Sequence, residues 1–322
     1  MATDNMEKAK RLRQPSEAPF IFRETGNTTT MPASITHELV ARQAKEQLLS
    51  SEIAKRIDAA PEYYYLGAQG PDLLFFYRPL SRKEPNFGRM LHRERIYETT
   101  CAFLITLRRL TGDELKKAQS YVLGYISHCC TDGVFHPFVY NLLREIHGGR
   151  VEHQQIENDW DVYFLARHRG HGAEKYSFPF SLKEIAQEET LFTLWSSCAH
   201  ILGRRTLSPA AFAASLKNFG RYLTFFHGRC YAQRRRLERL EKIFRIRGLS
   251  RLFPRGAPDR RVLFGEDFPR LAEGLGQNAD DLFTLATTRS AERITTFMRC
   301  FAERTPLPRE EFSVHLHTGK NI

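Results

Sequence analysis

Several things are missing from this sequence. It has no CxxC pair, and the six cysteines, Cys101, Cys129, Cys130, Cys198, Cys230 and Cys300, are scattered through 322 residues. That excludes a small disulfide-framed scaffold and predicts free thiols, mostly buried. No stretch approaches the roughly 18 uninterrupted apolar residues of a membrane span. Residues Met1 to Thr30 also lack the apolar run of a secretory signal, so a soluble, cytoplasmic protein is expected. Blocks of alternating apolar and polar residues, the mark of half-buried strands, are absent, as are internal repeats and a clean interdomain linker. What is present is a chain 42% apolar and 26% charged. That is enough for a substantial core and excludes a wholly disordered or fibrous protein.

Residues 1–30 mix charges of both signs with Pro15, Pro19 and Thr28-Thr29-Thr30, and read as a loosely ordered extension before one domain over 31–322. From Ser34 to Ile57 the apolar positions Leu39, Val40, Ala44, Leu48, Leu49 and Ile53 recur at helical spacing, with His37 in the first turn. Tyr63 to Asp72 breaks that period, and its glycines and proline predict a loop presenting Asp72. Further helices are predicted over Glu94–Thr111, Asp113–Cys130, Pro137–Ile146, Glu152–Arg167, Leu182–His200, Pro209–Phe226, Ala232–Phe244 and Asp280–Ala302, with Gly256 to Arg270 the most loop-like part of the second half. The fold class is therefore all-α, a multi-helix bundle.

The chemistry concentrates in Gly124-Tyr125-Ile126-Ser127-His128-Cys129-Cys130-Thr131-Asp132-Gly133-Val134-Phe135-His136-Pro137. His128, Asp132 and His136 fall at i, i+4 and i+8, and each step turns a helix by only about 40°, so the three share a face if the helix runs that far. Gly133 and Pro137 argue for irregularity at its end. Imidazole nitrogen with carboxylate oxygen suits zinc. His153 and Glu157 repeat the i, i+4 spacing. The plainer reading is polar residues on a solvated face. The apolar neighbours Tyr125, Ile126, Val134 and Phe135 speak against it, because His128 and Asp132 buried without partners would be costly.

At these residues the sequence resembles the zinc-dependent phospholipase C family, whose fold is shared with single-strand-specific zinc nucleases. The matching positions are His37, Leu66-Gly67-Ala68-Gln69-Gly70-Pro71-Asp72, Met90-Leu91-His92, the His128 to Pro137 segment, and His153 with Glu157. The resemblance covers Met31 to Arg167. It implies a phosphoester hydrolase with two or three zinc ions (Zn2+): one held by Asp72, His92, His128 and Asp132, a second by His136, His153 and Glu157, and a third by His37 and the bridging Asp132. It also implies that Asp72 doubles as general base and that the substrate is a phospholipid or another phosphodiester. Two departures stand out. The spacer Gly133-Val134-Phe135 is shorter than the family's usual one, which bears on His136. In secreted relatives the third zinc is completed by the amine and carbonyl of the mature first residue, whereas here 30 residues precede Met31. An amine in a peptide bond cannot ligate. The expectation is a working chain beginning at Pro32, or a site completed by water or another side chain, or only two well-held ions. His147, His168, His171, His200, His227, His315 and His317 match none of the family's ligand motifs and are expected to hold no metal.

Net charge is +11. Arg204 to Arg261 carries 16 Lys plus Arg against three acids, 16 − 3 = +13, so the rest sums to −2. Within it, Leu237, Leu240, Ile243 and Phe244 form one helical stripe among Arg234, Arg235, Arg236, Arg239, Lys242, Arg245 and Arg247. A packing stripe with a solvated charged face is the first expectation. The sharper ones are an anionic membrane contact and, less favoured, a nucleic-acid rail supported by Phe219, Tyr222, Phe225, Phe226 and Tyr231. The rival functions left open are a nuclease or small-molecule phosphodiesterase on the same cluster, and a non-catalytic membrane- or nucleic-acid-binding protein with a structural metal site.

Overall fold

A computed structural model describes residues 34–48, 51–76, 87–93, 95–185, 189–203, 207–227, 230–245, 250–316 and 318–320. The expected extension over 1–30 and the expected start at Pro32 lie outside the described residues. The chain folds as an all-α bundle, and the described residues contain no β-strand. None of their helices is long and apolar enough to cross a membrane. In chain order the helices are α1 (Ser34–Gln47), α2 (Glu52–Asp58), α3 (Pro61–Gly67), α4 (Phe87–Arg93), α5 (Ile96–Leu107), α6 (Gly112–Glu145), α7 (Arg150–Arg169), α8 (Leu182–Ile185), α9 (Glu189–Ile201), α10 (Pro209–His227), α11 (Cys230–Phe244), α12 (Phe268–Leu271), α13 (Ala279–Glu303) and α14 (Arg309–Phe312).

The axis of the molecule is α6, 34 residues long and so about 51 Å at 1.5 Å per residue. Two helices were expected here, Asp113–Cys130 and Pro137–Ile146. One continuous helix is found, with Pro137 inside it. A proline there removes the bond to the carbonyl four residues back, that of Gly133. That carbonyl lies against the C-terminal turn, where Gly319 has φ +65° and a Cβ would come within 2.7 Å of the Gly133 oxygen. The disturbed turn is thus packed over by a glycine, and the helix continues. Other boundaries moved as well. Over the span Ser34–Ile57, where a single helix was expected, α1 ends at Gln47 and α2 begins at Glu52, where the Ser51 hydroxyl accepts from the Ala54 amide at 3.3 Å. The segment expected over Leu182–His200 forms α8 and α9.

The loop expected over Tyr63 to Asp72 is instead α3 followed by a buried 3-10 turn, Gly70–Phe76. Its glycines explain this arrangement. A Cβ on Gly67 would sit 2.1 Å from the Tyr121 carbonyl oxygen, and one on Gly124 would sit 2.0 Å from that of Tyr64. Helices α3 and α6 therefore cross backbone against backbone. The turn that follows is held from outside as well. Tyr121 Oη donates to the Gly70 carbonyl at 3.3 Å and accepts from Trp195 Nε1 at 2.9 Å. From α10, the Ser215 hydroxyl donates to the Leu73 carbonyl and Asn218 to that of Phe76.

Two apolar clusters meet along α6. One gathers Phe103, Tyr121, Tyr125, Trp195 and Phe297, and the other Phe138, Trp160, Phe164, Phe268 and Phe283. Tyr121 to Cys130 belong to the first and Val134 to Leu143 to the second, so His128, Asp132 and His136 project where the two meet. Cys129, Cys130, Cys198 and Cys300 are buried free thiols and Cys101 is half-buried, as expected. The expected packing stripe on α11 is not found as such. Leu237 is half-buried, but Leu240, Ile243 and Phe244 are exposed.

The α3–α6 crossing makes a sharp test. Gly124→Ala places a methyl group where the Tyr64 carbonyl already is, and overpacking of this kind costs about 1–3 kcal/mol. Thermal unfolding of the variant is expected several degrees below wild type, with a larger loss for Gly67→Ala and Gly124→Ala combined.

Candidate metal centre

Five segments converge on one buried site. Helix α6 supplies His128, Asp132 and His136 from one face, α1 supplies His37, the 3-10 turn Asp72, α4 His92, and α7 His153 and Glu157. None of the eight is more than 7% exposed. Because α6 runs through Gly133 without a break, the short spacer advances the chain by one i, i+4 step. His136 is thereby delivered to α7, with Nε2 3.3 Å from Glu157 Oε1, and His153 Nε2 lies 2.9 Å from the same oxygen.

Asp132 is the hub. Its Oδ1 lies 3.2 Å from His37 Nε2 and 3.7 Å from His136 Nε2, and its Oδ2 lies 3.2 Å from His128 Nε2 and 3.7 Å from His92 Nε2. His92 Nε2 also stands 2.7 Å from Asp72 Oδ1. Three groups have ligand atoms all within 4.8 Å of one another: His37 with His128 and Asp132, Asp72 with His92 and His128, and His136 with His153 and Glu157. Among the described residues, none of the other histidines joins such a group. His147 lies exposed in a turn at φ +48°, and His168 stacks on Phe283 with centroids 4.4 Å apart. The side chains of His227 and His317 lie outside the described residues.

The donor atoms fit a cation. His92 Nδ1 lies 2.8 Å from the Gly88 carbonyl and His128 Nδ1 3.2 Å from that of Ala68. A carbonyl only accepts, so each Nδ1 carries a proton, and in the neutral ring the Nε2 lone pair then faces the carboxylates. Two lone pairs held so close repel unless positive charge lies between them. Consistent with this, His37 Nδ1, both Asp72 oxygens, His92 Nε2, His128 Nε2, Asp132 Oδ2 and Glu157 Oε2 are buried and have no hydrogen-bond partner. Leaving one such atom unmet costs about 1–3 kcal/mol, and a cation held among these side chains would meet that need. Asp72 accepts no hydrogen bond and therefore does not cap its own turn, the plainer role open to it.

The titration behaviour reflects the same crowding. Burial alone would raise the Asp132 carboxyl, but His136 and His128 outweigh it and hold Asp132 well below the usual carboxylate range. Burial likewise opposes charge on His136, yet Asp132 and Glu157 push that imidazole up to about 9. Glu157 is lowered by His153 and His136 in spite of its burial, and His37 is lowered by burial and by the neighbouring His128.

Sequence reasoning missed the groups that hold these side chains in place. Asp161, fully buried on α7, accepts from the Thr36 amide at 2.7 Å, the Thr36 hydroxyl at 2.8 Å and the Ile35 amide at 3.3 Å. It thereby satisfies the first turn of α1 beside His37, and burial pushes its carboxyl up to about 7. Gln69 Nε2 donates to the Ser34 carbonyl at 3.0 Å and ties the Asp72 turn to the same helix start. Gly70, at φ +54°, leaves space for the His128 ring, which a Cβ would approach to 2.3 Å. A signal for Asp161 was present: it continues the His153, Glu157 rhythm by four more residues. Gln69 and Gly70 carried none beyond their motif.

Two measurements test this geometry. Elemental analysis of protein purified without chelator is expected to give about two or three zinc ions per chain, with marked loss in His128→Ala. Essentially no zinc in protein that was offered it would refute the centre. Asp161→Ala leaves the first amides of α1 unmet and is expected to cost about 1–3 kcal/mol in chemical denaturation, with zinc retained less tightly than in wild type.

No curated protein and no solved structure matches the chain. A family model described as zinc-dependent phospholipase C matches residues 36–204, just over half of the chain and a span containing all eight converging side chains. The chain belongs to the zinc-dependent phospholipase C family.

Proposed function

We propose that the protein hydrolyses a phosphoester bond of a phospholipid or related phosphodiester at the α1–α4–α6–α7 centre. The carrying observation is the convergence of eight buried side chains, six of which (His37, Asp72, His92, His128, Asp132 and Glu157) carry buried polar atoms with no hydrogen-bond partner. In this reading Asp72, His92, His128 and Asp132 hold one zinc ion, His136, His153 and Glu157 a second, and His37 with Asp132 a third. When bound, zinc supplies Lewis-acid polarisation of the phosphoryl oxygens and lowers the pKa of water at the site. The chain's own residues do the rest. Asp72 is the general base: it takes up the proton at a carboxylate oxygen to which no hydrogen bond is directed, in a turn fixed by Tyr121, Ser215 and Asn218. Phe75, stacked on His92 with centroids 4.7 Å apart, shields that pair from water. Asp161 and Gln69 fix the start of α1, so that His37 keeps its distance from Asp132.

The test is a substrate panel of phosphatidylcholine micelles, single-stranded nucleic acid and a chromogenic phosphodiester. Zinc-dependent turnover of the lipid is expected, with Asp72→Asn lowering kcat by about 10²–10⁴-fold. Cleavage of nucleic acid alone would make the protein a nuclease. Full zinc content with no turnover of any member would make the centre structural.

A further inference from the structure

Helix α11 is turned inside out. Three of its charged residues, Arg234, Glu238 and Glu241, are engaged on the side facing the body of the protein. Arg234 Nη1 donates to Gln155 Oε1 at 2.8 Å and to the Phe253 carbonyl at 2.6 Å, while its Nε pairs with Glu238 at 2.8 Å. Glu241 accepts from the Ser250 amide at 2.8 Å and from its hydroxyl at 2.7 Å. Both acids of the helix are thus engaged on this side. The opposite side carries Leu240, Ile243 and Phe244, which are 47%, 70% and 66% exposed. Arg235, Arg236, Arg239 and Lys242, all exposed, flank them. A helix stabilised only by packing would put its apolar stripe inward. This one spends its inward face on hydrogen bonds and leaves the apolar residues in water, ringed by cations and clear of acids.

We infer that α11 docks the protein on an anionic phospholipid surface, with Leu240, Ile243 and Phe244 entering the acyl boundary and the arginines meeting the headgroup phosphates. The inference rests on the reading of the substrate as a phospholipid. Charge segregation chooses the occupant: exposed aliphatic side chains between arginines match a layer that is apolar within and anionic outside. A nucleic acid would use the arginines but has nothing to offer Leu240 and Ile243. Helix α11 is anchored to the body through Gln155 of α7, which also bears His153 and Glu157. The helix lies beyond residue 204, where the family match ends, and so this surface belongs to the part of the chain the family does not describe.

The experiment is flotation of the full chain with vesicles of phosphatidylcholine alone or mixed with phosphatidylserine, at low and high salt. Binding to the mixed vesicles is expected to exceed binding to phosphatidylcholine alone by about tenfold or more and to weaken with salt. Ile243→Ser with Phe244→Ser is expected to lower it by about tenfold or more and to leave turnover of a soluble chromogenic phosphodiester unchanged. Flotation of that variant equal to wild type overturns the inference. So does a wild-type dimer that the substitutions make monomeric without any vesicle binding, since the occupant is then a second copy. Retention on a single-stranded oligonucleotide that needs Arg235, Arg236 and Arg239 but not Ile243, in a protein that ignores vesicles, overturns it in favour of a nucleic acid. Vesicles bound through α11 but never cleaved would uphold the docking surface and refute the lipid as substrate.

Discussion

Three carboxylates and five imidazoles held out of water coexist only around positive charge. Asp72, Asp132 and Glu157 are at most 3% exposed, and ionised carboxylates in such surroundings are among the costliest groups a protein can bury. Asp132 concentrates the constraint, because four imidazoles crowd its two oxygens. Everything around the centre serves to hold those groups in place against their own repulsion, and the carbonyls of Gly88 and Ala68 decide which imidazole nitrogen faces inward.

The scaffold meets this demand by running α6 unbroken through Gly133 and Pro137. Two apolar clusters grip the helix, one along Tyr121 to Cys130 and the other along Val134 to Leu143, with Asp132 between the two stretches. The backbone contact of α3 with α6, possible because Gly67 and Gly124 lack side chains, brings the Asp72 turn against His128. The start of α1 is fixed by Asp161 and Gln69, side chains that touch no candidate ligand directly yet set where His37 stands. Precision at the centre is thus borrowed from hydrogen bonds and close contacts one layer out.

Beyond the family-matched span the molecule changes character. Arg204 to Arg261 carries a charge of +13 from 16 cations and three acids. On α11 the two acids are turned inward with Arg234, and Arg235, Arg236, Arg239 and Lys242 outward, which separates charge that composition alone only counts. The same helix is bound to α7 through Arg234, which links the basic surface to the element bearing His153 and Glu157.

The i, i+4 spacings of His128, Asp132 and His136, and of His153 and Glu157, made most of the centre legible in the sequence, since helical periodicity is local and the turn angle is fixed. The all-α class was legible for the same reason. His37, Asp72 and His92 could be attached only through a family resemblance, because nothing local says that three distant segments share a cavity. Other features were decided by tertiary structure alone. Gly319, almost two hundred residues away, packs against the Gly133 carbonyl that Pro137 leaves without its helical bond. The 3-10 turn at Asp72 depends on a helix crossing and on hydrogen bonds from Tyr121, Ser215 and Asn218. Asp161 gained its role from the amides of α1, more than a hundred residues earlier in the chain. The α11 stripe shows the limit most plainly: its period predicted an apolar face, but which face met the protein was settled by partners on α7 and in the Ser250–Leu252 turn. Periodicity tells a helix which residues lie together, and only packing tells it which way to turn.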